Sequence, residues 1–256
     1  MLRESEKSLS IQYFSREFPA GLEVEWKTGL ASCDPAGFIF KLDDCLLCGE
    51  LFPFFKARTM GNQPIGISYL NIWCHYYGHL KQGKWVEDLV LVQPPATPIF
   101  IPRVKVDRAG DYNNLPENVL VREETKGTKF EILPERNIGS FLQKFEMAKG
   151  VALVKVGTIE REKWSFYLTN RLTGRNWNVL ADLCHMMRLS CRVTNSRLSQ
   201  VEVEYKGISG IALANRLSQH EVIQEMLTLG ERIIDESCQT VFPSKITKFD
   251  WLVSQQ

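Results

Sequence analysis

Leu22, Val24 and Trp26 alternate with Glu23, Glu25 and Lys27. A run of strict period two puts apolar side chains on one face and charges on the other, as a half-buried β-strand does. Comparable runs recur through the first half of the chain, at 67–73, 85–92 and 99–106, bounded by the turn pairs Gly61-Asn62, Gln82-Gly83 and Pro94-Pro95. The apolar runs 37–42 and 45–55 flank Asp43-Asp44 and read as a hairpin. Residues 107–118 are polar and rich in Gly, Asn and Pro, hence a loop, and 119–123 and 128–133 flank Thr125-Lys126-Gly127 as a second hairpin.

Helices dominate after Pro134. Ser140 is placed to cap a short helix with Phe141, Phe145 and Ala148 on one side, ended by Gly150. Strands follow at 151–158 and 164–169. From Asn176 or Asn178 a helix is expected, because Val179, Leu180, Leu183, Cys184 and Met187 fall on one stripe. Strands return at 192–194 and 201–205. Ser218-Gln219-His220-Glu221 is a capping box, in which serine and glutamate satisfy each other's backbone N–H groups, and the helix behind it aligns Val222, Met226, Leu229 and Ile233. The pattern predicts an α+β fold: an antiparallel β-rich part over residues 1–135, then an α+β part over 136–256 with the capped amphipathic helix. One continuous domain gives the same pattern.

A 256-residue chain with 44% hydrophobic and 24% charged residues has the composition of an ordinary globular protein. The net charge of +1 supplies no overall field toward nucleic acid or an anionic membrane. Seven cysteines without framework spacing suit reduced thiols. The N-terminal segment lacks the apolar core of a signal peptide, and no apolar run reaches the roughly 18 residues of a membrane span. A cytoplasmic location without membrane contact is the expectation.

Four constellations bear on chemistry. Cys45 and Cys48, with Cys74, His75 and His79 downstream, have residue types that close a tetrahedral zinc site, although the leucines between the first pair suit buried cysteines equally. Glu202, Glu204 and Lys206 lie on one predicted strand, as in a metal-dependent nuclease. The acid upstream of them, Asp182, falls on a predicted helix, and the alternative is a strand whose charges face solvent while Val201 and Val203 point inward. No nucleophile elbow or phosphate loop motif occurs, and His185 and His220 sit in structural contexts. Finally, between Lys155 and Arg216 ten basic residues face five acidic ones, with Trp164, Phe166, Tyr167 and Trp177 among them. That mixture suits single-stranded RNA, with Arg171, Arg175, Arg192, Arg197 and Trp177 as contact candidates, and also suits core aromatics with solvated cations.

Three segments carry a resemblance. Residues 37–51, GFIFKLDDCLLCGEL, resemble the early strand pair of the accessory subunit of type III-D CRISPR effector complexes. Residues 120–135, LVREETKGTKFEILPE, are similar to its polar hairpin, and 167–172, YLTNRL, to its strand ending in Arg-Leu. The resemblance implies a non-catalytic assembly subunit of an RNA-guided ribonucleoprotein, partnered by other protein subunits and by guide RNA, with no cofactor. Alternatives are a metal-dependent nuclease using Glu202, Glu204 and Lys206, and a self-assembling structural protein.

Overall fold

The computed structural model describes residues 18, 22–32, 34–48, 54–57, 59–60, 63–64, 66–94, 97, 99–108, 111–112, 115–126, 130–131, 136–188, 191–208, 218–237 and 241–256. In chain order the elements are β1 (Leu22–Leu30), α1 (Pro35–Cys48), β2 (Phe55–Ala57), β3 (Thr59–Met60), β4 (Gln63–Pro64), β5 (Ser68–Lys81), β6 (Lys84–Gln93), β7 (Ile99–Asp107), β8 (Val119–Lys126) and β9 (Phe130–Glu131). They continue as α2 (Arg136–Lys149), β10 (Val154–Asn170), β11 (Arg175–Arg188), β12 (Cys191–Ile208), α3 (Gln219–Ser237), β13 (Val241–Pro243) and α4 (Lys248–Ser254). Among the described residues no helix is long and apolar enough to cross a membrane.

Strands β11, β12, β1, β8, β7, β6, β5 and β10 pair in that order, and β10 pairs again with β11. The ring is a closed antiparallel barrel of eight strands. This corrects the α+β expectation: strands account for 55% of the described residues and helices for 27%, and the barrel takes strands from both sides of position 135. Closure gives each strand of the ring two paired neighbours.

Several elements differ in kind from the sequence expectation. Residues 37–48 are helix rather than a hairpin: the Asp34 carboxylate accepts the Gly37 N–H at 2.8 Å, Pro35 takes the first turn, and Phe38, Ile39 and Leu42 are buried on one face. The stripe from Val179 to Met187 belongs to β11, not to a helix. Trp177, Val179 and Ala181 join the core outside the barrel, while Cys184 joins the core inside it. A strand buried on both faces shows a nearly continuous apolar run, which period alone does not separate from a helix. Residues 154–170 form one strand of 17 residues and 191–208 one of 18, each in place of two shorter pieces or so. The predicted turns at Gln82-Gly83 and Gly150 are present with positive φ, whereas Gly61-Asn62 and Thr128 lie outside the described residues.

Helices α1 and α3 cover one side of the barrel. Val222, Met226, Leu229 and Ile233 of α3 pack with Val24, Trp26, Val121, Val201 and Val203, and Gly230 lets the helix approach, since a Cβ there stands 2.9 Å from the Trp26 indole. The capping box holds, with the Ser218 N–H donating to Glu221 at 2.6 Å and the Glu221 N–H to Ser218 Oγ at 3.3 Å. Helix α2 lays Phe141, Leu142 and Phe145 over Leu89, Leu91 and Phe100. Helix α4 packs Phe249, Trp251 and Leu252 against the inward-facing Ile72, Cys74, Tyr76, Val90 and Val92, closing one end of the barrel. A capping box between Thr247 and Asp250 fixes its start.

Candidate functional site

Because Val24 and Trp26 are taken up by the outer core, the alternate side chains Glu23, Glu25 and Lys27 turn into the barrel. On β12 the outer core takes Val201, Val203 and Tyr205, which turns Glu202, Glu204 and Lys206 inward. The charged face of each strand is thus the lumen and not solvent. Register sets Glu25 opposite Glu204, Lys27 opposite Glu202, and Glu23 opposite Arg122 of β8. Lys105 (β7), Arg161 and Lys163 (β10), Asp182 (β11) and Lys248 (α4) complete the lining.

The charges form two connected groups. In the first, Lys27 donates to Glu202 at 2.7 Å and lies 3.3 Å from Glu25. Lys248 lies 2.7 Å from Glu202 and 3.0 Å from Asp182. Arg161 makes two bonds to Asp182, at 2.8 and 2.5 Å, a fork that fits carboxylate geometry. In the second group Arg122 pairs with Glu25 and lies 3.4 Å from Glu23. Lys105 donates to Glu23 at 2.7 Å, Lys206 lies 2.6 Å from Glu204, and Asn178 donates to Glu204 at 3.2 Å.

Burial pushes the Glu23 carboxyl up, but Lys105 and Arg122 overcome it and hold the group far below the carboxylate range. Glu204 is likewise pushed up by burial and pulled down further by Lys206 and Lys163. Glu202 is held well down by Lys248, Lys27 and Arg161 against its burial. These three acids are ionised at neutral pH. Lys163 is shifted the other way, burial lowering its ammonium, and no ion pair or hydrogen bond engages it among the described residues.

Carboxylate oxygens of Glu23, Glu25 and Glu204 lie within 4.8 Å of one another, and among the described residues they are the one group of three potential metal ligands so placed. Glu23 and Glu204 border a cavity of about 80 Å³ whose wall carries seven cations against four acids. It has room for several waters, at roughly 10–15 Å³ each. Two buried polar atoms beside the carboxylates have no partner, Asn178 Oδ1 and Arg122 Nε, as expected of groups placed for a ligand or for water.

The candidates named from the sequence are dispersed. Glu204 and Lys206 belong to the lumen, Glu202 is tied between two lysines, and Asp182 joins them from a strand. Trp177 is fully buried and donates its Nε1–H to Glu225 at 2.9 Å, and Arg175 is buried against the same carboxylate at 2.5 Å. Neither presents a face to RNA. Arg171 and Arg197 are exposed. Arg192, 44% exposed, is held at 2.7 Å by both Glu160 and Glu162. Cys45 packs in the core outside the barrel and Cys74 in the core within it. His79 lies 2.5 Å from Asp88, and the Cys48 side chain is outside the described residues. Glu23, Glu25, Lys27, Lys105 and Arg122 were not singled out from the sequence. A signal for them exists: Glu-x-Glu-x-Lys occurs at 23–27 and again at 202–206.

No family model and no curated protein matches the chain. Among solved structures it is similar to the PH1012 protein of Pyrococcus horikoshii OT3, at 12% identity and a TM-score of 0.42, over 87% of this chain and 95% of that one. It is also similar to a chain of the Schizosaccharomyces pombe Mediator head module, at 10% identity and a TM-score of 0.45, over 86% and 97%. At these levels neither neighbour bears on what this chain does.

Proposed function

We propose that the barrel interior binds a phosphoanhydride together with a divalent cation and hydrolyses it. The observation that carries this reading is the convergence of Glu23, Glu25 and Glu204 beside a cavity whose wall carries seven cations against four acids. Small barrels are commonly filled by side chains, and apolar filling is often at least as stable as buried ion pairs. An interior built of ionised groups therefore serves a ligand. Oxygen-only ligand sets suit magnesium or manganese, which bind through one or two carboxylates plus substrate phosphates. A cation held there would neutralise phosphate charge and position the attacking water.

The protein's own part is electrostatic. Arg122, Lys105, Lys27 and Arg161 approach the cavity from separate strands, so a chain of phosphates meets a cation at each step. In hydrolysis a water oxygen bonds to the terminal phosphorus, the bridging P–O bond breaks, and the bridging oxygen leaves on the shorter phosphate while the water proton passes to solvent. An enclosed cavity of this size takes a phosphate chain and not a duplex, which separates this reading from a nuclease. It is also an enzymatic reading, unlike the assembly role that the family resemblance implies.

The test is phosphate release from inorganic tripolyphosphate by the purified chain with magnesium or manganese. Turnover that falls at least 100-fold in both Glu25→Gln and Glu204→Gln is the expected result. No turnover with either metal, and no tripolyphosphate binding by calorimetry, would sink the proposal.

A further inference from the structure

The barrel wall has a gap. Strand β6 is ten residues long, yet it pairs with β7 only at Val90–Arg103, Leu91–Pro102 and Val92–Ile101. Pro102 brings no N–H to this short ladder. Beyond it, residues 84–89 of β6 and 104–107 of β7 have no pairing with each other, and a cleft of about 490 Å³ lies between them. That volume is within the roughly 300–1,000 Å³ of small-molecule sites, several times that of the charged cavity in the lumen, hereafter the tunnel.

Cleft and tunnel adjoin, sharing Glu87, Lys105, Arg122, Thr247 and Phe249 as walls. Lys105 and Arg122 are the same two cations that hold Glu23. A phosphate chain at Glu23, Glu25 and Glu204 therefore has one end at the cleft, on the side of the barrel that α4 closes axially. The cleft's chemistry differs from the tunnel's. Trp85 and Val106 give it apolar surface, the first of them aromatic, while Asp107 and Asp88 offer acceptors.

We infer that this cleft seats the organic end of the tunnel's ligand, so that the substrate is a nucleoside polyphosphate and not a bare polyphosphate chain. The inference rests on the proposed reading of the tunnel. An aromatic wall stacks a base in a sequence-tolerant way, and carboxylates accept from sugar hydroxyls. Glu87 stands at the junction. Burial pushes its carboxyl up against the pull of Arg122 and Lys105.

The experiment compares ATP with tripolyphosphate on the full chain with magnesium, in the wild type and in Val106→Trp. Val106 is 41% exposed, so the larger side chain fills the cleft without entering the core. The expected result is a wild-type kcat/KM at least tenfold higher for ATP. In the variant that preference falls at least tenfold, through the KM for ATP. Equal use of both substrates by the wild type, or a preference within twofold of wild type in the variant, overturns the inference and leaves the tunnel reading standing. If neither compound is bound or turned over, the tunnel reading itself fails, and the inference falls with it.

Discussion

Replacing Glu202 by Gln keeps the volume and removes one negative charge from the most deeply buried part of the lumen. The carboxylate has Lys27 and Lys248 at 2.7 Å and Arg161 at 3.5 Å. Asp182 still faces Arg161 and Lys248 in the variant, and Glu25 still faces Lys27. No cation is left without a carboxylate, but three are left under-compensated. Removing one partner of a buried ion pair costs roughly 3–5 kcal/mol, and the remaining acids place this change at the lower end, about 3 kcal/mol. For a chain of this length each kcal/mol moves Tm by roughly 2–4 °C, so a drop of about 6–12 °C is expected. A ligand at 100 times its Kd adds about 2.7 kcal/mol. Tripolyphosphate should stabilise the variant by more than the wild type, because it supplies the missing charge. Urea and thermal unfolding followed by circular dichroism, with and without the anion, measure both effects. A loss below about 1 kcal/mol, or an equal gain from the anion in both proteins, would refute the reasoning.

Glu225 accepts from Asn170, Trp177 and Arg175 at 2.9, 2.9 and 2.5 Å, so Glu225→Ala should cost roughly 3–5 kcal/mol by removing the carboxylate that faces a buried guanidinium, and Glu225→Gln less, both read by urea unfolding. Gly230→Val drives a branched side chain into the Trp26 ring and should cost about 1–3 kcal/mol, seen as a lower midpoint at unchanged m-value. Burial pushes the Cys184 thiol up to about 12, so iodoacetamide at pH 8 should label the exposed Cys191 and spare Cys184 until the protein unfolds, by peptide mass spectrometry. Glu23, Glu202, Glu204 and Asp182 all have folded-state pKa values below their ordinary ones. Their stabilisation is therefore complete above about pH 5 and is lost progressively as the pH falls. A Tm that does not decline between pH 6 and pH 3 would contradict the ionised lumen.

Legibility varied with how many faces of an element are buried. Helix α3 was readable because its cap is local and only one face meets the core, so Val222, Met226, Leu229 and Ile233 stand out at helical spacing. Strands β1, β5, β6 and β7 were readable from alternation or short apolar runs. Helix α1 carried a readable signal in Asp34-Pro35 and in the spacing of Phe38, Ile39 and Leu42, but the acidic pair Asp43-Asp44 imitates a turn. Strand β11 was not readable, since its two faces serve two different cores. The nuclease-like residues Glu204 and Lys206 were noticed from β12 alone. Their partners Glu23 and Arg122 lie far away in sequence, on strands whose registry nothing local specifies.

Local patterning alone determined that alternating strands and a capped amphipathic helix would form, because caps, turns and side-chain period act over a few residues. It left open which face of each strand would be wet. An open sheet would have turned Glu23, Glu25, Glu202 and Glu204 to solvent, where they repel weakly and do nothing. Closure of β10 on β11 turned the same face into a lumen of low dielectric, where the carboxylates had to take up cationic partners. The site exists because the ring closes, and closure is a property of eight strands together.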